Sequence, residues 1–177
     1  MKNVLLPIFT LLLLISLSAC STSSDSKPAE SFVQKGDWTT YSVSNFTFEA
    51  PSSWEYSKAG DEFLFFESGY VLCEWDGDLN EPNADDEFIS NYMHLIELSY
   101  EDFQLISGPT RVMFSGCNGI TFDFQYTADA ASAQGKAVVL FDEGGMLTFT
   151  LCDFDVTSLH TTEFDALIAS LQNNSRP

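Results

Sequence analysis

The chain has 177 residues, is 45% apolar and 14% aromatic, and sets 7 Lys and Arg against 26 Asp and Glu, a formal charge of −19. So few cations exclude nucleic acid as a partner, because nothing on the chain neutralises phosphates, and the same charge repels anionic lipid headgroups. The field attracts cations, basic proteins and cationic peptides, and its plainest effect is to keep the chain soluble.

Lys2 precedes a mostly apolar run from Val4 to Leu17, which is too short to span a bilayer and ends in Leu17-Ser18-Ala19-Cys20. Aliphatic, small, small, cysteine is the order of a lipoprotein processing site. Small side chains let the peptide lie extended in a protease cleft, and the thiol is nucleophilic enough to take up a diacylglyceryl group. Residues 1–19 are therefore predicted to be a lipoprotein signal peptide, with Cys20 as the lipid-attachment residue. Acyl chains there contribute about 0.8 kcal/mol per buried methylene, which predicts an extracytoplasmic protein anchored in the cell membrane or outer membrane. Ser21, in place of Asp, argues against inner-membrane retention in a host with two membranes. Loss of Lys2 with the signal leaves a charge of −20.

Residues 20–37 are Ser-rich and aperiodic, a flexible tether whose reach is on the order of 20 Å. One globular domain is expected over 38–172, followed by a short tail at 173–177; 15 phenylalanines follow the signal segment, and most are expected in the core.

Tyr41 and Val43 alternate with polar residues, the phase slips at Ser44-Asn45, and Phe46, Phe48 and Ala50 resume it, which predicts a hairpin ended by Pro51. Phe63 to Phe66 and Tyr70 to Trp75 form a second hairpin around Glu67-Ser68-Gly69. From Asp85 the period becomes helical, with Phe88, Tyr92, Leu95, Ile96 and Ser99 on one face to about residue 99. Gly108-Pro109 separates two strands, Phe103 to Ser107 and Thr110 to Phe114, and Gly116, Asn118 and Gly119 mark a turn. Ile120 to Tyr126 alternates cleanly, Ala128 to Gly135 reads as a small-residue loop, and Ala137 to Phe141 and Met146 to Phe154 are strands joined by Glu143-Gly144-Gly145. Phe164, Leu167, Ile168 and Leu171 define a closing helix capped by Thr161 or Thr162. The fold class is α+β: a curved antiparallel sheet with helices packed on it.

Three cysteines follow Cys20, at Cys73, Cys117 and Cys152, an odd count that leaves at least one unpaired. An oxidising exterior permits one bridge, and Cys73 with Cys152 is the favoured pairing. No Cys-x-x-Cys occurs, so neither a zinc knuckle nor a redox pair is indicated.

The opening strand followed by Pro51 and, three residues on, Trp54 resembles the PsbP-like family, bacterial lipoprotein branch. So do the 119–126 strand, the meander after it and the closing helix Phe164-Asp165-Ala166-Leu167-Ile168-Ala169-Ser170-Leu171. The resemblance covers nearly all of residues 38–172. It implies an α/β/α sandwich around an antiparallel sheet, used without enzymatic activity to bind a partner protein or support an assembly, and it supplies no catalytic residue.

The sharpest candidate for chemistry is the acidic stretch from Asp76 to Glu87. Asp76, Asp78, Asn80 and Glu87 fall at positions 1, 3, 5 and 12, the spacing that wraps calcium in an EF-hand loop. Glu81 stands where glycine is needed, so the bland alternative is a solvated loop whose Asp85 to Glu87 serve the helix N-terminus. His94 and His160 lack metal-ligand neighbours, no Gly-x-Ser-x-Gly elbow occurs, and Asp123 with Asp142 is a carboxylate pair that nothing singles out. Trp38, Trp54 and Trp75 suit either a ligand groove or the core, with Trp54 more simply a core plug. The reading is a membrane-anchored, non-enzymatic binding or accessory module with an envelope protein as partner and no cofactor. The alternatives are a calcium-binding surface protein using residues 76–87 and an envelope hydrolase.

Overall fold

The computed structural model describes residues 37–60, 62–66, 70–77, 85–153 and 161–175. Along the chain run β1 (Trp38–Val43), β2 (Phe46–Pro51), β3 (Glu55–Ala59), β4 (Glu62–Phe66), β5 (Tyr70–Asp76), α1 (Asp86–Ser99), β6 (Glu101–Phe114), β7 (Cys117–Ala128), β8 (Ala131–Asp142), β9 (Gly145–Asp153), α2 (Thr161–Ala169) and β10 (Gln172–Asn173). Seven strands form an antiparallel sheet in the order β3-β4-β5-β9-β8-β7-β6, and β1-β2-β10 form a smaller one.

Successive side chains on a strand point to opposite faces, so the large sheet divides the interior into two cores. On β8, Val138 and Leu140 join Phe65, Cys73, Phe149, the small-sheet residues Phe46 and Phe48, and Phe164, Leu167 and Ile168 of α2. Ala137, Val139 and Phe141 join Ile120, Phe122, Phe124, Tyr126 and Ile89 of α1. The layers are thus α1, the seven-stranded sheet, then α2 with the small sheet. Rings dominate both cores: Phe48 meets Phe149 edge-on at 5.1 Å, and Phe88 meets Phe141 at 5.3 Å. Each fully buried phenylalanine contributes about 1.5–3 kcal/mol relative to exposure.

The β1–β2 hairpin turns at Ser44-Asn45, with Val43 opposite Phe46 and Ser44 at positive φ. The strands on either side of 67–69, and those joined by Glu143-Gly144, pair as the alternation predicts; residues 67–69 themselves lie outside the described residues. Three expectations are corrected, and one strand, β3, is new. Ala128 to Gly135 is not a loop: β7 turns into β8 at Asp129-Ala130, both at positive φ, and β8 begins at Ala131. Small residues stand there because the Phe124 ring lies over Gly135, where a Cβ would fall 2.2 Å from Cζ. Gly108-Pro109 does not separate two strands. It forms a bulge inside β6, where the register slips between Ser107 and Thr110 and a Cβ on Gly108 would come 2.6 Å from the Thr121 carbonyl oxygen. β3 carries no apolar signal because all five of its residues are exposed on the sheet edge. Finally, residues 173–175, expected to begin a tail, belong to the domain: Asn173 pairs with Phe46, and Asn174 N–H donates to the Asn45 carbonyl at 2.8 Å.

The expected Cys73–Cys152 bridge is also overturned. None of the three described cysteines forms a disulfide, and all three are buried. Cys73 sits opposite Phe149 on the β5–β9 ladder, three residues from Cys152, and that odd offset sends the two thiols to opposite faces of the sheet.

Candidate functional site

α1 begins where Asp85 accepts a hydrogen bond from Phe88 N–H at 2.8 Å, and Asp86 and Glu87 complement the positive end of the helix dipole. Its inward face holds Phe88, Ile89, Tyr92, Met93 and Ile96 against the sheet. Leu95, expected on that face, is instead exposed, as is Leu98. The helix lies antiparallel along β6. At one end the Arg111 guanidinium donates to Asp86 at 2.7 Å, and at the other Ser99 leads through Tyr100 directly into Glu101.

Between α1 and β6 runs a groove of about 790 Å³, with Ile89, Met93, Phe103, Leu105 and Pro109 as its apolar lining and Asp86, His94 and Glu97 among its polar wall residues. β6 ends the sheet order and pairs with β7 alone among the described strands. None of its 14 positions is buried, and Leu105, Ile106 and Met113 are exposed. The described residues include 19 Asp and Glu and three cations. Each cation is engaged: Lys58 over the Phe63 ring, Arg111 on Asp86, and Lys136 on Asp165 at 2.6 Å. The anionic field is therefore in large surplus around a groove that mixes apolar and polar lining.

On the opposite face, a smaller cavity of about 360 Å³ lies between β6–β8 and α2. Ser107 donates to Asp123 there, and Lys136, which faces Asp123 across the ladder, is held by Asp165. No histidine lines this cavity among the described residues, so Ser107 and Asp123 form no Ser-His-Asp triad there. Asp142 lies six residues further along β8 than Lys136, about 20 Å at strand rise, which is too far for paired carboxylates to act on one glycosidic bond. His94 is exposed beside Glu97, and His160 lies outside the described residues.

The cysteines are no better placed for chemistry. Burial pushes the Cys73 thiol up, with Glu74 adding to it, and burial likewise raises Cys152, whose sulfur lies 3.7 Å from the Tyr100 hydroxyl. A thiol held protonated is a poor nucleophile. Trp54 is a core plug beneath the turn after Pro51, and Trp38 and Trp75 pack partly buried on the same core.

Of the residues proposed for calcium, Asp76 ends β5 and Glu87 stands in the first turn of α1, while Asp78 and Asn80 lie outside the described residues. Asp85 is engaged as the helix cap, so the acidity at 85–87 serves α1. Among the described residues no three His, Cys, Asp or Glu side chains gather to hold a metal, and no helix there is long and apolar enough to cross a membrane.

A helix-flanked antiparallel sheet with a small second sheet against one face defines an α+β sandwich. No protein-family model matches the sequence, nor does any curated protein sequence. Solved structures do match. Cyanobacterial PsbP (CyanoP) from Synechocystis sp. PCC 6803 superposes with a TM-score of 0.61 at 14% identity, covering 80% of this chain and 95% of that one. A Pseudomonas aeruginosa protein of unknown function, PA94, superposes with a TM-score of 0.52 at 16% identity, covering 76% and 96%. The chain has the PsbP-like fold, as the sequence resemblance implied.

Proposed function

We propose that this protein is a lipid-anchored, extracytoplasmic accessory protein that binds an envelope protein through the α1–β6 groove and catalyses no reaction. One observation carries the binding role: a groove with an apolar floor and acidic walls beside a terminal strand that exposes Leu105, Ile106 and Met113, set in a surface with 19 acids and three engaged cations among the described residues. Charged residues normally cover such an edge, and an apolar one marks a contact surface. The anchor rests on the Leu17-Ser18-Ala19-Cys20 box. The absence of enzymatic activity is supported by the separation of Asp142 and His94 from the Ser107–Asp123 pair and by burial, which keeps the Cys73 and Cys152 thiols protonated.

The test has two arms. Mass spectrometry of the mature chain is expected to find an acylated Cys20, and Cys20→Ser is expected to leave the membrane fraction; an unmodified terminus would remove the anchor. A photo-reactive amino acid at Ile106 is expected to cross-link one envelope protein in cells, with the adduct lost in Glu97→Lys combined with Glu101→Lys. Hydrolysis of envelope esters, amides or glycosides by the pure protein would overturn the non-enzymatic reading.

A further inference from the structure

We infer that the cavity between β6–β8 and α2 binds a neutral sugar the size of a mono- or disaccharide. The site lies on the opposite face of the sheet from the α1–β6 groove and does not depend on the binding role of that groove.

α2 does not cover the whole of the face on which it packs. Its Phe164, Leu167 and Ile168 share a core with Val138 and Leu140 of β8, but of β7 only Cys117 joins them. Past β8 the same face turns polar, with Thr121 and Asp123 on β7 and Ser107 and Thr110 on β6. Alternation alone would not bring Ser107 and Thr110 together, since residues at an odd offset on a strand point to opposite faces. The bulge restores the phase. Ser107 pairs with Asp123 and Thr110 with Thr121, so three steps along β6 match two along β7, and both hydroxyl residues line the cavity. Gly108 permits this, because a Cβ there would strike the Thr121 carbonyl oxygen. A break in the ladder thus gathers polar side chains from neighbouring strands on one surface.

The chemistry of that surface selects the ligand. Ser107 donates to Asp123, Thr121 to the Ala137 carbonyl at 2.9 Å, and Lys136 to Asp165 at 2.6 Å. These bonds leave further lone pairs on the carboxylates and hydroxyl oxygens and further N–H donors on the ammonium. Donors and acceptors are therefore interleaved, and a sugar hydroxyl, which both donates and accepts, suits either. Two carboxylates against one ammonium, in a chain of charge −19, repel an anionic ligand, while Lys136 opposes a cationic one. A wholly apolar ligand would strip water from these groups without replacing its bonds. Phe114, Val138 and Ile168 supply apolar contact for the C–H surface that a sugar ring also carries. The volume of about 360 Å³ stands at the lower end of the roughly 300–1,000 Å³ found for small-molecule sites, which suits a mono- or disaccharide.

The experiment titrates the full lipidated chain in phosphatidylcholine nanodiscs with glucose, galactose, N-acetylglucosamine, maltose, lactose and cellobiose, read by saturation-transfer difference NMR and calorimetry. Saturable binding of at least one of them is expected, with none for glucuronate or for glucosamine in its ammonium form. Asp123→Asn and Lys136→Met are each expected to weaken the bound sugar roughly tenfold or more at an unchanged melting temperature, because each removes a charged hydrogen-bonding partner. Thr110→Val, at an exposed position that keeps its shape, is expected to weaken it severalfold and serves if either of the others fails to fold. Glu97→Lys with Glu101→Lys, which alters the groove, is expected to leave sugar binding unchanged. Binding of no sugar in the set, equal binding of glucuronate, or undiminished binding by the folded cavity variants would overturn the inference.

Discussion

Asn173 and Asp142 are joined side chain to side chain: the Asn173 amide nitrogen donates to the Asp142 carboxylate at 3.0 Å, and both residues are buried. The same nitrogen lies 3.1 Å from the Cys117 sulfur, and Asn173 N–H donates to the Ser115 hydroxyl at 2.7 Å. Asn173 Oδ1 in turn accepts from the backbone and hydroxyl of Ser175. One amide therefore ties the C-terminal segment to the adjoining ends of β7 and β8 and solvates a carboxylate withdrawn from water. Removing a donor from a buried charged acceptor costs about 1–3 kcal/mol, so Asn173→Ala is expected to lower the unfolding free energy by that amount, read as a lower denaturant midpoint at unchanged m. An unchanged midpoint would show that the other contacts of Asp142 suffice.

The thiols give a second expectation. Cys73, Cys117 and Cys152 are buried and form no disulfide, and burial raises Cys73 and Cys152 above the ordinary thiol range. Folded protein should react negligibly with a thiol reagent at neutral pH, because attack requires both access and thiolate. In denaturant without reductant, three thiols should titrate, Cys20 being acylated. A count of one would establish a bridge and contradict the opposite-face arrangement.

Much of the fold was legible because most of its strands bury one face and expose the other. Phe46, Phe48 and Ala50, or Ile120, Phe122, Phe124 and Tyr126, announce a face by period alone. What stayed hidden had a contrary local signal. The small residues at 131–135 read as a loop although their size makes room for Phe124, and β3 has no buried position at all. Cysteine pairing depended on strand register, which composition does not encode. The groove was hidden for a different reason: Leu105 resembles a core residue in the sequence, and only the sheet order reveals that β6 is terminal and Leu105 exposed.

Tyr92 supplies a pH dependence. Burial pushes its phenol up to about 12, with the bond to Thr148 opposing and Glu74 adding to the rise. Burial also raises Tyr70 and Tyr100. A raised value means that the folded state holds the proton more tightly than the unfolded chain, whose reference is 10.0. The contribution to stability is therefore complete below pH 10 and is lost as pH rises through the folded value. Alkaline titration should show these rings ionising only with loss of near-ultraviolet circular dichroism. Full tyrosinate absorbance from a protein that keeps its native dichroism would contradict their burial.

Two glycines test how closely the sheet is packed. A Cβ on Gly119 would fall 2.2 Å from the carbonyl oxygen of Val139, a backbone atom fixed in the β7–β8 ladder. On Gly135 it would fall 2.2 Å from the Phe124 ring, a side chain. That ring has little room to retreat, because it is fully buried and packs against Tyr100 at 5.0 Å and Phe103 at 5.5 Å. Overpacking of this kind costs about 1–3 kcal/mol, so Gly119→Ala and Gly135→Ala should both destabilise. The two differ in the expected remedy. Phe124→Leu trims the obstructing ring and should recover part of the loss in Gly135→Ala, since the pair then shares one space and its effects do not add. It should recover nothing in Gly119→Ala, where the obstacle is backbone. A double-mutant cycle by denaturant unfolding reads this directly, and additive losses at 135 and 124 would show that the ring does not fill the space over Gly135.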